Sequence, residues 1–155
     1  MAHVEKSIEV HVPLQTAYDQ WTQFEEFPKF MEGVKQVRQL DDKRLHWVAD
    51  LYGIHEEWDA EITSQHPDQG VAWRSTSGAH NAGNVSFAAV DPNTTRVTLR
   101  IDYDPERFVE KVGDKLGLVS RRVEGDLKNF KDFIEARGKE TGAWRGTIEG
   151  EQVNK

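Results

Sequence analysis

The chain contains no cysteine, which excludes disulfide staples and thiolate metal sites. No apolar run approaches the ~18 residues that a membrane-spanning helix needs. The opening MAHVEKSIEV lacks the apolar block of a secretory signal. A soluble, cytoplasmic protein is the expectation. Positive charge is in deficit: 20 Lys and Arg against 27 Asp and Glu leave a net charge of −7. An acidic chain repels phosphate backbones, so general nucleic-acid binding is not expected. The one tight basic pair, Arg121-Arg122, is followed by Glu124 and Asp126. Aromatics, in contrast, are plentiful, with 5 Trp and 7 Phe in 155 residues that are only 37% hydrophobic. One domain of this length buries roughly 70% of its extended surface. So many rings in it imply either a thick core or an aromatic-lined hollow.

Periodicity sets the order of elements. From His3 to Val12 apolar residues alternate, as in a strand. Pro13 opens a helix in which Leu14, Ala17, Tyr18 and Trp21 share one face. FEEFPKFM (residues 24–31) reads as a second short helix or turn, since Pro28 forbids one long helix. A period of two then returns, in a strand over Val34–Leu40 and another through Leu45, Trp47, Ala49 and Leu51. A further strand runs through Trp58, Ala60 and Ile62 to the turn His66-Pro67-Asp68-Gln69-Gly70. Val71, Trp73 and Ser75 precede a loop expected over Gly78–Gly83, after which Val85, Phe87 and Ala89 alternate. Val97, Leu99, Ile101 and Tyr103 form the clearest strand. From Asp104-Pro105 onward, Val109, Val112, Leu116, Val119, Val123, Leu127, Phe130 and Ile134 make one helical stripe that Gly138 ends. Residues 139–155 show no period and read as a tail, expected to be mobile. A run of strands followed by a long helix indicates α+β.

The stretch WRSTSGAHNAGNVSF (residues 73–87) resembles a phosphate cradle in composition alone. A cradle needs a helix start after its glycines, and the flanks here have strand period, so the loop most simply joins two antiparallel strands. Six His suggest metal, yet HEEWD (residues 55–59) is not H-E-x-x-H and has strand context. No metal and no cofactor are expected. The adjacent acids Glu56-Glu57 and Asp41-Asp42 point to opposite faces of a strand and do not converge.

The stretches SIEVHVPLQTAYDQW, FEEFPKFMEGVKQV, W-x₄-G…G-x-V-x-F between Trp73 and Phe87, TTRVTLRIDYDP and LKNFKDFIEARG occur in an order and spacing that resemble the START-like superfamily. The subgroup is the polyketide cyclase/dehydrase and coenzyme-Q-binding START proteins, over roughly residues 3 to 137. The resemblance implies a helix-grip fold. A curved antiparallel sheet of about seven strands would wrap the long C-terminal helix, with two short helices after the first strand. Residues 1–138 would form this domain, with a cavity for lipids, quinones or polyketides. Aromatase/cyclase members carry Ser-x-Arg before a Pro-Asp-x-Gly turn, and here the Arg position is Gln65. A neutral amide lacks the charge to orient a polar chain, which weighs against cyclisation.

On that fold, an apolar small molecule is the expected partner. Trp47, Trp58, Trp73, Ser75, Phe87, Leu99, Ile101 and Tyr103 of the sheet, with Val112, Leu116 and Val119 of the helix, would line its cavity. Phe27, Phe30 and Met31 with Gly78 and Gly83 would gate it. The alternatives are a polyketide aromatase/cyclase or dehydratase, with Tyr103 or His80 moving protons, and a protein-interaction module whose core is filled.

Overall fold

The computed structural model describes residues 2–51, 54–78, 81–103 and 115–155. Chain order is β1 (Ala2–Val10), α1 (Leu14–Trp21), a 3-10 helix (Phe24–Lys29), β2 (Val34–Gln39), β3 (Arg44–Leu51), β4 (Ile54–His66), β5 (Gly70–Gly78), β6 (Asn81–Asp91), β7 (Thr94–Tyr103), α2 (Lys115–Arg137), β8 (Thr147–Glu149) and β9 (Gln152–Asn154). Pro13 precedes α1 at φ −61°, and Pro28 lies within the 3-10 helix, where it replaces a longer helix.

The strands form one curved sheet in the order β1-β7-β6-β5-β4-β3-β2, and every pairing in it is antiparallel. β4 is the longest strand at 13 residues, and its register slips at Asp59/Ala60 and again at Ile62/Ser64. Such bulges bend a strand and sharpen its twist. α2 lies along β1, and its buried stripe Val119, Val123, Leu127, Phe130 and Ile134 faces the sheet. The helix-grip architecture expected from the sequence is therefore present, and the apolar face alternates as the strand period requires.

The tail expectation needs correction. Beyond Gly138, β8 pairs with β4 at Ser64↔Glu149 and Gln65↔Ile148, where β3 has already ended at Arg44↔Glu61. β9 folds back on β8 around Gly150, whose φ of +57° favours glycine. Ile148 is 0% exposed. Strands of three residues are too short to display a period of two, so the pattern was invisible in the sequence. The seven strands expected thus form the main path, and β8 and β9 join it off that path at β4.

The segment of 3-10 helix and turn fills the space between α1, α2 and the sheet with rings. Trp21 meets Phe27 at 5.5 Å, Phe30 at 5.9 Å and Phe130 at 4.8 Å between centroids. Phe27 in turn meets Trp47 of β3 at 5.6 Å. Phe27, Phe30 and Met31 are all buried.

Candidate functional site

The inner face of the sheet can be followed row by row across paired strands. One row runs Val4–Ile101–Gly83–Trp73–Ile62. Here Trp73 lies over Gly83: a Cβ added there would meet the indole Cζ2 at 2.7 Å and the Arg100 carbonyl oxygen at 2.8 Å. This corrects the expectation of a loop reaching Gly83. It lies inside β6, and its missing side chain is the seat of a ring. Gly78 likewise belongs to β5, in register with Trp58.

The next row is polar. Tyr103 pairs with Asn81, the Asn81 backbone N–H donates to Ser75 Oγ at 3.1 Å, and Ser75 pairs with Ala60. Beyond it, Trp58 and Trp47 sit opposite each other on β4 and β3, their rings stacked at 5.5 Å and 9°. This parallel pair forms a flat aromatic wall. Trp47, Trp58 and Tyr103 are buried, while Trp73, Ser75 and Ile101 are half-buried although they face inward.

The other end of the same face is solid. Phe87 packs edge-on against Tyr18 at 5.6 Å and Trp21 at 6.3 Å, and Leu99, Val97, Val85 and Val71 are buried beside it. Phe87 is four residues along β6 from Gly83, about 13 Å at ~3.3 Å per residue. The structure therefore separates the expected lining into two groups. Trp47, Trp58, Trp73, Ser75, Ile101 and Tyr103 belong to the end where inner side chains reach solvent. Phe87 and Leu99 belong to filled core, and the buried Val119 faces the sheet from α2. His80 and Val112 lie outside the described residues, as does the side chain of Leu116.

Gln65 stands at the closed end. Its Nε2 donates to Tyr18 Oη at 3.2 Å, and its Oε1 has no hydrogen-bond partner. Burial pushes the Tyr18 phenol up. A neutral amide thus holds the position where the aromatase/cyclase pattern has a charge.

Sequence reasoning missed three charged groups. Asp19, 1% exposed, receives Arg145 Nη1 at 2.6 Å, and Nη2 of the same guanidinium reaches Asp68 at 2.8 Å. Burial pushes Asp19 up, with Arg145 pulling it down. The third is Asp126, an acid set among the apolar residues of the α2 stripe, which was its legible signal. It accepts the backbone N–H of Glu32, with Arg122 nearby, and burial pushes its carboxyl up to about 7. The Arg122 guanidinium lies against Gly33, whose φ is +86°.

The pH consequence of Asp126 follows from the sign of the shift. Its folded-state value lies above that of a free aspartate, so its stabilising contribution is complete in acid, below the free value, and lost as pH rises through about 7. Asp126→Asn carries no such loss. Its unfolding free energy relative to wild type is expected to climb between about pH 4 and pH 8 in urea titrations. A pH-independent difference would contradict this placement of Asp126.

The outer face carries a hydrogen-bonded ladder. His46 bonds Asp59 at 2.7 Å and Glu57 at 3.1 Å, and His55 bonds Asp50 and Glu57 at 3.0 Å each. These carboxylates hold both imidazoles above their ordinary value, and the histidines in turn hold Glu57 and Asp59 below theirs. Among the described residues no cluster of His, Asp or Glu is arranged to hold a metal ion. Among the same residues no helix is long and apolar enough to cross a membrane.

Comparison with known proteins adds the following. Residues 10–132 match the family described as "Polyketide cyclase / dehydrase and lipid transport". An uncharacterised 17.2 kDa protein of Streptomyces lincolnensis is 54% identical over 149 residues, covering 96% of this chain and 99% of that one. A crystal structure of a Deinococcus radiodurans protein is 28% identical with a TM-score of 0.68, covering 88% of this chain and 99% of the other. An aromatase/cyclase from Streptomyces sp. R1128 shares the fold with a TM-score of 0.75 at 16% identity, covering 92% and 99% of the two chains.

Proposed function

The chain belongs to the polyketide cyclase/dehydrase and lipid transport family, and from that premise we propose that it binds an apolar small molecule between the inner face of the sheet and α2. One observation carries this reading. Trp73, Ser75 and Ile101 face inward yet remain half-buried, beside the stacked Trp47–Trp58 pair, while Phe87, Leu99, Val97, Val85 and Val71 farther along the same face are buried. Protein interiors pack densely, so inward-facing residues left half-exposed beside buried rings fit an opening. Ligand burial would be favoured by roughly 25 cal/mol per Å² of apolar area before ordering costs. The Ser75–Asn81–Tyr103 row supplies the few polar groups such a site uses for orientation. Val112, Leu116 and Val119 are proposed for the helix side, and Phe27, Phe30 and Met31 for the element that must shift to admit a guest.

Binding is favoured over turnover by Gln65, which brings no charge to the position where a cyclase places one and is engaged with Tyr18. If turnover occurs, Tyr103 is the proton carrier of choice, and Tyr103→Phe abolishes it. Native mass spectrometry of freshly purified protein tests the binding reading. It is expected to show an added mass that is lost on denaturation. Bare protein that also takes up no added quinone or lipid would refute it.

A further inference from the structure

The indole N–H of Trp47 is a buried hydrogen-bond donor with nothing to donate to. The residue is 8% exposed, its ring is held on one side by Trp58 and meets Phe27 on another, and neither neighbour offers an oxygen. A buried donor left unpaired is costly, and native interiors seldom tolerate one without water or a ligand to satisfy it. A Phe at position 47 would supply similar aromatic area without that cost. Trp47 also lies opposite Trp58, in the half of the inner face that retains the polar Ser75–Asn81–Tyr103 row.

We infer that Trp47 Nε1 is a specificity-determining donor: it hydrogen-bonds an acceptor oxygen on the ligand and so selects flat, carbonyl-bearing molecules over hydrocarbons of the same shape. This rests on the binding reading above and deepens it. The stacked indoles recognise a planar ring system by area and by offset stacking, which does not distinguish an oxygenated ring from a bare one. The N–H does. An oxygenated ligand gains a hydrogen bond in a site with little competing water, and a hydrocarbon leaves the donor as it was. Discrimination by a single buried hydrogen bond is about tenfold in affinity.

The probes are menadione and 2-methylnaphthalene, which share a methylated two-ring frame and differ in the two quinone carbonyl groups. The chain has no cysteine, so the quinone meets no thiol. Equilibrium dialysis on the full chain is expected to show menadione weakened about tenfold by Trp47→Phe, with 2-methylnaphthalene changed less than about threefold. Trp58→Phe, which trims the wall without touching the donor, is expected to weaken both alike. In the wild-type protein the ¹⁵N–¹H indole resonance that is missing from Trp47→Phe moves downfield on adding menadione and stays in place with 2-methylnaphthalene. This spectrum is independent of whether the variant folds well. If both probes bind, Trp47→Phe weakens them equally and the resonance does not move, the donor role is overturned and the binding reading stands. A resonance bonded to a retained water and unmoved by menadione overturns it as well. If neither probe binds, the donor role fails, and the binding reading is decided by the native mass spectrum and lipid uptake.

Discussion

Phe130→Ala is expected to lower the unfolding free energy by about 4 kcal/mol, since truncating a buried Phe removes its transfer energy and leaves a cavity. Phe130 is 0% exposed and stands where three parts of the chain meet. Its ring touches Trp21 of α1 at 4.8 Å and Phe30 after the 3-10 helix at 5.2 Å, both edge-on. Each such aromatic pair adds about 0.5–1.5 kcal/mol beyond burial. The neighbours are themselves held by Phe27, Phe87 and Phe133, so the rings have little freedom to collapse into the space. Urea unfolding should show a lower midpoint with an unchanged slope, and the melting temperature should fall by roughly 8–16 °C for a domain of this length. A loss under about 1 kcal/mol would mean that α2 does not clamp α1 and the 3-10 segment as described.

Arg145→Ala is expected to cost about 2 kcal/mol, because it strands the Asp19 carboxylate in the interior. Breaking a fully buried pair costs about 3–5 kcal/mol. The Arg145 side chain is 36% exposed, and solvent screening brings the figure down. Arg145 also lies over the Tyr18 ring at 5.6 Å and joins Asp68 in the β4–β5 turn, so one side chain ties the C-terminal segment to α1 and to the sheet. Asp19→Asn alone should cost less, and Asp19→Asn with Arg145→Ala should recover part of the loss, because no buried charge is then left unpaired. Chemical unfolding of the four proteins as a double-mutant cycle measures this coupling. A coupling near zero would show that the Asp19–Arg145 pair does not hold the C-terminal segment to α1.

The reach of the sequence follows from element length. Strands such as Val97–Tyr103 and the stripe from Val119 to Ile134 repeat often enough for their period to be read, and the order of elements followed from them. The long-range consequences were hidden. Nothing in residues 139–155 reveals that Ile148 will take the edge of β4 where β3 stops, since that depends on how long two other strands run. The Trp73–Gly83 contact was misread for a similar reason. A glycine among turn residues reads as loop, while a glycine under an indole is visible only once the cross-strand register is known. Alternation placed Trp47, Trp58, Trp73 and Phe87 on one face, as found. It did not show that Phe87 is buried and Trp73 half-buried, because distance along the strand, not parity, separates them. Asp19 went unread because its burial is defined by the Arg145 that meets it from the far end of the chain.

The claim on which the account depends is that a guest occupies the Trp73 end of the inner face. A crystal structure of the protein as purified, or after incubation with menadione, tests it most directly. The account predicts density for a flat molecule against Trp47, Trp58 and Trp73, within hydrogen-bonding distance of Trp47 Nε1. Side chains filling that region with no bound molecule, or menadione seated only on the outer face, would contradict it.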